Sequence, residues 1–131
     1  MTRSSDRSSP ASGDRSRWSV FLRALFWLTL LAVLTLAILP HPPYWPNELS
    51  DKVQHFVAFL CLMLLGSAAY PHLSLVKLAL GLAVFGALIE IIQAVPALRR
   101  DSDWLDWVVD VAAALCVLLA LLVWRRLRGK A

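Results

Sequence analysis

The chain has 131 residues, 59% of them hydrophobic and 17% charged, with a mean hydropathy of +0.64. Apolar content on that scale exceeds what a soluble domain of this length needs and leaves room for about four membrane spans, with none for a separate soluble domain. The formal charge of +4 is gathered at the chain's two ends, beside apolar runs, which argues for membrane orientation and against nucleic acid.

Residues 1–17, MTRSSDRSSPASGDRSR, are rich in Ser and Arg and have little to bury; they are expected to form a disordered cytoplasmic tail. Trp18–Leu39 reads as the first span, with Arg23 snorkelling from one turn inside it. A cleaved signal peptide competes for this stretch. The apolar run Ala24–Leu39 is long for a signal, however, and ends in PHPPYWP without a clear small-residue cleavage site. Pro40–Ser50 is a loop whose Tyr44 and Trp45 suit the membrane interface.

Asp51–Tyr70 is the second predicted span and Leu73–Val95 the third, joined by a turn at Pro71-His72. Lys77 snorkels near the start of the third, and Pro96 ends it. Ser102 or Asp103 can cap the fourth helix, which runs to about Trp124 before a basic cytoplasmic tail at residues 125–131. The expected fold is an all-α membrane protein, a four-transmembrane-helix bundle spanning residues 18–124. Cys61 and Cys116 fall mid-span and read as small buried residues, not as a disulfide or metal pair. With both basic ends in the cytoplasm, the Pro40–Ser50 and Pro96–Ser102 loops face outward. Arg99 and Arg100 then lie on the outer side, against the positive-inside bias.

Ionisable residues converge in depth. At about 1.5 Å per residue, His55 lies roughly 6 Å inside its span, Glu90 roughly 9 Å and Asp110 roughly 10 Å. The uncharged run Val111–Trp124 covers only about 21 Å of about 30 Å of hydrocarbon, so the fourth span must draw in Asp110 and its neighbours. Asp51 and His55 are spaced i, i+4; Glu90 and Gln93 i, i+3; Asp103, Asp106 and Asp110 form one helical stripe. One outward-opening polar pocket is expected, lined by His55, Glu90, Gln93, Asp106 and Asp110, with Lys52 and one or both of Arg99 and Arg100 at its mouth.

The ordered pieces DKVQHF (Asp51–Phe56), IEIIQ (Ile89–Gln93) and RDSDWLD (Arg100–Asp106), set between apolar spans, resemble the VanZ-like family of small bacterial membrane proteins over about residues 18–124. The resemblance implies residence in the cell envelope; the family's name-giving member is associated with resistance to the glycopeptide teicoplanin. It implies no catalytic residues. Relatives often carry Asn where this chain has Asp110, and Gly shortly after, where it has Ala113 or Ala114.

The bland reading of the acid–His–Arg cluster is structural glue, with Arg100 paired to Asp103 or Asp106. Membrane hydrogen bonds average about 0.6 kcal/mol, a small return for so many polar groups, so His55, Glu90 and Asp106 are read as functional. Asp101 reads as a loop acid, Asp103 as a helix cap and Asp51 as the cap of the second helix. Lys52 divides evenly between phosphate contact and salt bridge. Trp104, Trp107 and Trp124 read as interface anchors, His41 and His72 as solvated, and Ala83 with Ala87 as a small-residue packing pair.

Three functions remain open. An accessory protein would bind the head group of a lipid, envelope precursor or glycopeptide-like molecule, using Lys52, Arg99 and Arg100 for phosphate or carboxylate and His55 with the acids for hydroxyls or amines. A lipid head-group enzyme would use His55 as acid/base, with Glu90, Asp106 and Asp110 around a divalent cation, although no metal motif such as HExxH is present. Proton- or cation-coupled transport would need an oligomer of this four-span chain. Accessory binding ranks first, at the outer face of the cytoplasmic membrane.

Overall fold

The computed structural model of the chain describes residues 11–39, 48–98 and 102–129, and gives only the backbone of 11–14 and 48–50. Four helices account for most of these residues: α1 (Ala11–Ile38), α2 (Glu48–Ala69), α3 (Leu75–Gln93) and α4 (Trp104–Arg128). No strand occurs among the described residues. Each helix contains a stretch long and apolar enough to cross a membrane, so the chain is a multi-pass, all-α membrane protein. The shortest, α3, has 19 residues, or about 28 Å, close to the hydrocarbon thickness.

The helices run up and down. The start of α2 meets the start of α4 through Lys52 and Asp103. The end of α3 meets the end of α1 through Gln93 and the Ala37 carbonyl, and the end of α2 meets α1 through Arg23. One end of the bundle therefore gathers the starts of α2 and α4 with the ends of α1 and α3. Helix α4 packs most extensively on α2, then on α3, whereas α1 leans on α2 and α3 and scarcely meets α4. Phe59, Leu62, Met63, Ile89 and Ala113 form the dry centre.

Helix α1 corrects one expectation. Its described part includes residues 11–17, which continue the first span's helix instead of belonging to a disordered tail; residues 1–10 of that expected tail lie outside the described residues. Extending an existing helix adds one hydrogen bond per residue without a new nucleus, and Ala and Arg are good helix formers. For the same reason α4 runs four residues beyond Trp124 into the basic tail, where Arg128 lies over the Trp124 ring at 4.2 Å. The positive side chains at that end also suit the C-terminal dipole. Cys61 is partly buried, whereas Cys116 is exposed on the outer face of α4 rather than buried; both are free thiols.

Charge is segregated along the bundle. Arg15, Arg17 and Lys77 lie near the starts of α1 and α3, Arg23 lies farther along α1 beside the end of α2, and Arg125, Arg126 and Arg128 lie at the end of α4, all toward one end. Arg23 does not simply snorkel: its Nε donates to the Ala69 carbonyl at 3.4 Å, and its guanidinium lies 5.4 Å from the centre of the Tyr70 ring. Trp27 Nε1 donates to the Tyr70 phenolic oxygen, Oη, at 2.8 Å, fastening α1 to the same corner. Every described acidic side chain (Asp51, Glu90, Asp103, Asp106 and Asp110) lies toward the other end.

Candidate functional site

Helix α4 supplies the acids of the site. Asp103 caps it, in extended backbone, with its carboxylate accepting from the Leu105 N–H at 3.0 Å. Asp106 and Asp110 follow on the buried side of the helix, 4% and 0% exposed. Ser102, the other candidate cap, instead donates to Glu90 Oε2 at 3.0 Å and ties the approach to α4 onto α3.

Helix α2 answers with Lys52 and His55. Lys52 Nζ donates to Asp103 Oδ2 at 2.7 Å and to Asp106 Oδ1 at 3.0 Å. Of the two readings weighed for Lys52, the structure shows the salt bridge. His55 Nδ1 lies 3.0 Å from Asp110 Oδ1. With Asp110 ionised, Nδ1 carries the proton and donates, leaving Nε2 as an acceptor or a ligand atom when the ring is neutral.

Asp51 does not cap α2. The helix starts at Glu48, three residues earlier, and Asp51 stands in its first turn, one turn before His55. Donor atoms of Asp51, His55 and Asp106 lie within 4.8 Å of one another, the spacing of a group able to close on a metal ion.

Helix α3 contributes Glu90, 8% exposed, within electrostatic range of Asp106, His55 and Asp110. Its Oε1, like Asp110 Oδ2, is buried and has no hydrogen-bond partner among the described residues. Gly86, one turn before Glu90, makes room for Asp110: a Cβ there would stand 2.9 Å from Asp110 Oδ2 and 3.3 Å from both Phe59 and Trp107.

Thus His55, Glu90, Asp106 and Asp110 converge with Lys52 from three helices. Gln93 does not join them. It is 3% exposed, and its Nε2 donates to the Ala37 carbonyl of α1 at 3.2 Å, so it links α3 to α1. Arg99 and Arg100 lie outside the described residues, as do Asp101 and most of the Pro40–Ser50 loop with Tyr44 and Trp45. The described partner of Asp103 and Asp106 is Lys52.

Trp107 is more than an interface anchor, since its Nε1 donates to the Ala83 carbonyl at 2.9 Å. The close approach of α3 and α4 occurs at Gly86; Ala83 and Ala87 are each only partly buried. A glycine one turn before a membrane-embedded acid was the available signal for this contact.

The Lys52 ammonium, assisted by the Leu105 N–H, holds the Asp103 carboxyl below the usual carboxylate range. A carboxyl with a lowered folded-state pKa contributes stability above its unfolded pKa, and that contribution disappears as pH falls through the folded value. Asp103→Asn retains a cap acceptor but loses the ion pair. Its stability deficit against the native chain is expected to be full at neutral pH and to shrink below about pH 4, as read by thermal unfolding in detergent across pH.

No family model, no curated protein and no solved structure matches the chain.

Proposed function

We propose that the chain is a VanZ-like accessory protein of the cell envelope that binds the polar head of a lipid, an envelope precursor or a glycopeptide-like molecule. The observation that carries this reading is the acid–His cluster sunk into one end of an apolar bundle. It sets five carboxylates against one ammonium and one imidazole among the described side chains. Buried polar groups normally find partners, yet Glu90 and Asp110 each retain an oxygen without one among the described residues. Such oxygens suit the N–H or O–H donors of an amine- or hydroxyl-bearing head group. Lys52, together with Arg99 and Arg100 of the sequence between α3 and α4, would meet phosphate or carboxylate on the same molecule.

The positive-inside rule supports the orientation. It puts the end bearing Arg15, Arg17, Arg125, Arg126 and Arg128 in the cytoplasm, with both termini, and turns the acidic end to the outer leaflet of the cytoplasmic membrane. A ligand could then arrive laterally, its tail in the bilayer and its head at the level of His55.

Native mass spectrometry of the full chain, released from its own membranes into a mild detergent, tests the reading. An amphiphile carrying amine or hydroxyl groups is expected to stay bound, and Glu90→Gln should lose it while keeping the thermal stability of the native chain. A bare native chain, or equal retention by a folded Glu90→Gln variant, would refute head-group binding at this cluster.

A further inference from the structure

We propose that Asp51, His55 and Asp106 form a binding site for a divalent transition-metal cation, with Asp110 positioning the imidazole. The donors come from two helices. Asp51 and His55 stand one turn apart on α2, where i and i+4 side chains share a face, and Asp106 faces them from the first turn of α4. Their donor atoms lie within 4.8 Å of one another. Ligands at about 2.1 Å in a tetrahedral shell stand about 3.4 Å apart, so the trio closes by drawing its donors in by about 1.4 Å through side-chain rotation. Lys52 already engages Oδ1 of Asp106, and a carboxylate has a second oxygen to offer a cation.

Two observations beyond the trio point to a cation. The first is the contact between His55 Nδ1 and Asp110 Oδ1 at 3.0 Å. A metal-bound histidine commonly donates its other ring N–H to a carboxylate, which fixes the tautomer and aims the ligating nitrogen. Asp110, fully buried beneath His55, occupies that place. The second is the pair of buried carboxylate oxygens on Glu90 and Asp110 that lack a partner among the described residues. Both side chains are more than nine-tenths buried, and both lie within electrostatic range of His55 and Asp106. Asp110 Oδ2 stands against Gly86 of α3, so these acids would favour a dication at Asp51, His55 and Asp106 through their negative field and not as ligands.

One imidazole and two carboxylates suit zinc or manganese and leave coordination positions open to water or ligand. Magnesium, which favours all-oxygen surroundings, fits less well. The site does not depend on head-group binding: metal can be measured in protein free of lipid, and its absence would leave the head-group reading standing.

The test uses the full chain in detergent, stripped with chelator and titrated with manganese chloride, with free Mn²⁺ followed by electron paramagnetic resonance. One saturable equivalent is expected, displaced by zinc chloride but poorly by magnesium chloride. His55→Gln and Asp106→Asn should each weaken binding at least tenfold, and Asp110→Asn by about 10–100-fold, the usual effect of losing such a support. Asp51→Asn serves as the variant least able to disturb folding, because its side chain is exposed at the start of α2; it too should weaken binding tenfold. Absence of saturable binding, or native affinity in Asp51→Asn and His55→Gln, overturns the site. Equal displacement by magnesium overturns the role given to His55.

Discussion

Gly86→Ala is expected to destabilise the bundle by about 1–2 kcal/mol, although alanine is the better helix former by about 1 kcal/mol. The added methyl would meet Asp110 Oδ2 at 2.9 Å and press on Phe59 and Trp107 at 3.3 Å. None of these neighbours yields easily. Asp110 is held by His55, Phe59 is fully buried, and Trp107 is fastened to the Ala83 carbonyl. Overpacking a filled core costs about 1–3 kcal/mol, and here any relief moves the carboxylate that supports His55.

Two other glycines provide the contrast. At Gly66 the methyl would meet the ends of Leu78 and Phe26 at 2.9–3.0 Å, flexible tips that can turn aside, so Gly66→Ala should fall between the extremes. At Gly81 nothing lies within 4 Å, and Gly81→Ala should be neutral or stabilising by up to about 1 kcal/mol. Thermal unfolding in detergent should rank the melting temperatures Gly81→Ala, Gly66→Ala, Gly86→Ala from highest to lowest. A Gly86→Ala protein as stable as Gly81→Ala would show that α3 and α4 do not meet as described.

Lys52→Met should lower the melting temperature by several degrees, and adding Asp106→Asn should restore much of the loss. One ammonium serves two carboxylates, Asp103 at 2.7 Å and Asp106 at 3.0 Å. Methionine keeps most of the apolar stem but removes the charge. Asp106, 4% exposed, would then face Asp103 across a short gap without that counter-ion. Only Asp106 of the three is buried, and a buried carboxylate that loses its counter-ion keeps its desolvation penalty without compensation. The double variant removes the stranded charge, so the two changes should be strongly non-additive. Losses that simply add would contradict the coupling of Lys52 to Asp106.

The helices were legible because the hydrocarbon thickness demands long apolar runs, and four such runs separated by proline and polar residues leave little choice. The common depth of His55, Glu90 and Asp110 followed from counting residues along those runs. Rotation about each helix axis was not legible in the same way. Glu90 and Gln93 are three residues apart and share a broad face, but the sequence does not say which neighbour lies on each flank of α3. In the structure Glu90 accepts from Ser102 at the approach to α4, and Gln93 donates to α1. Similarly, the sequence put Lys52 at the pocket mouth without naming its partners, since these depend on how α2 and α4 turn toward each other. Asp51 suits a cap by residue type, but helix ends drift from sequence signals, and a helix already formed at Glu48 puts Asp51 in the first turn, one turn before His55.

The His55–Asp110 contact joins α2 to α4 at the centre of the polar cluster, and nitrogen-15 NMR of the histidine rings in nanodiscs tests it directly. His55 is assigned by the signal lost in His55→Gln, with His41 and His72 as internal references. Asp110→Asn is expected to move the His55 Nδ1 resonance clearly, because the partner at 3.0 Å changes from carboxylate to amide, and to leave His72 in place. A His55 ring indifferent to Asp110→Asn, in a variant that is folded and inserted, would contradict the assembled site.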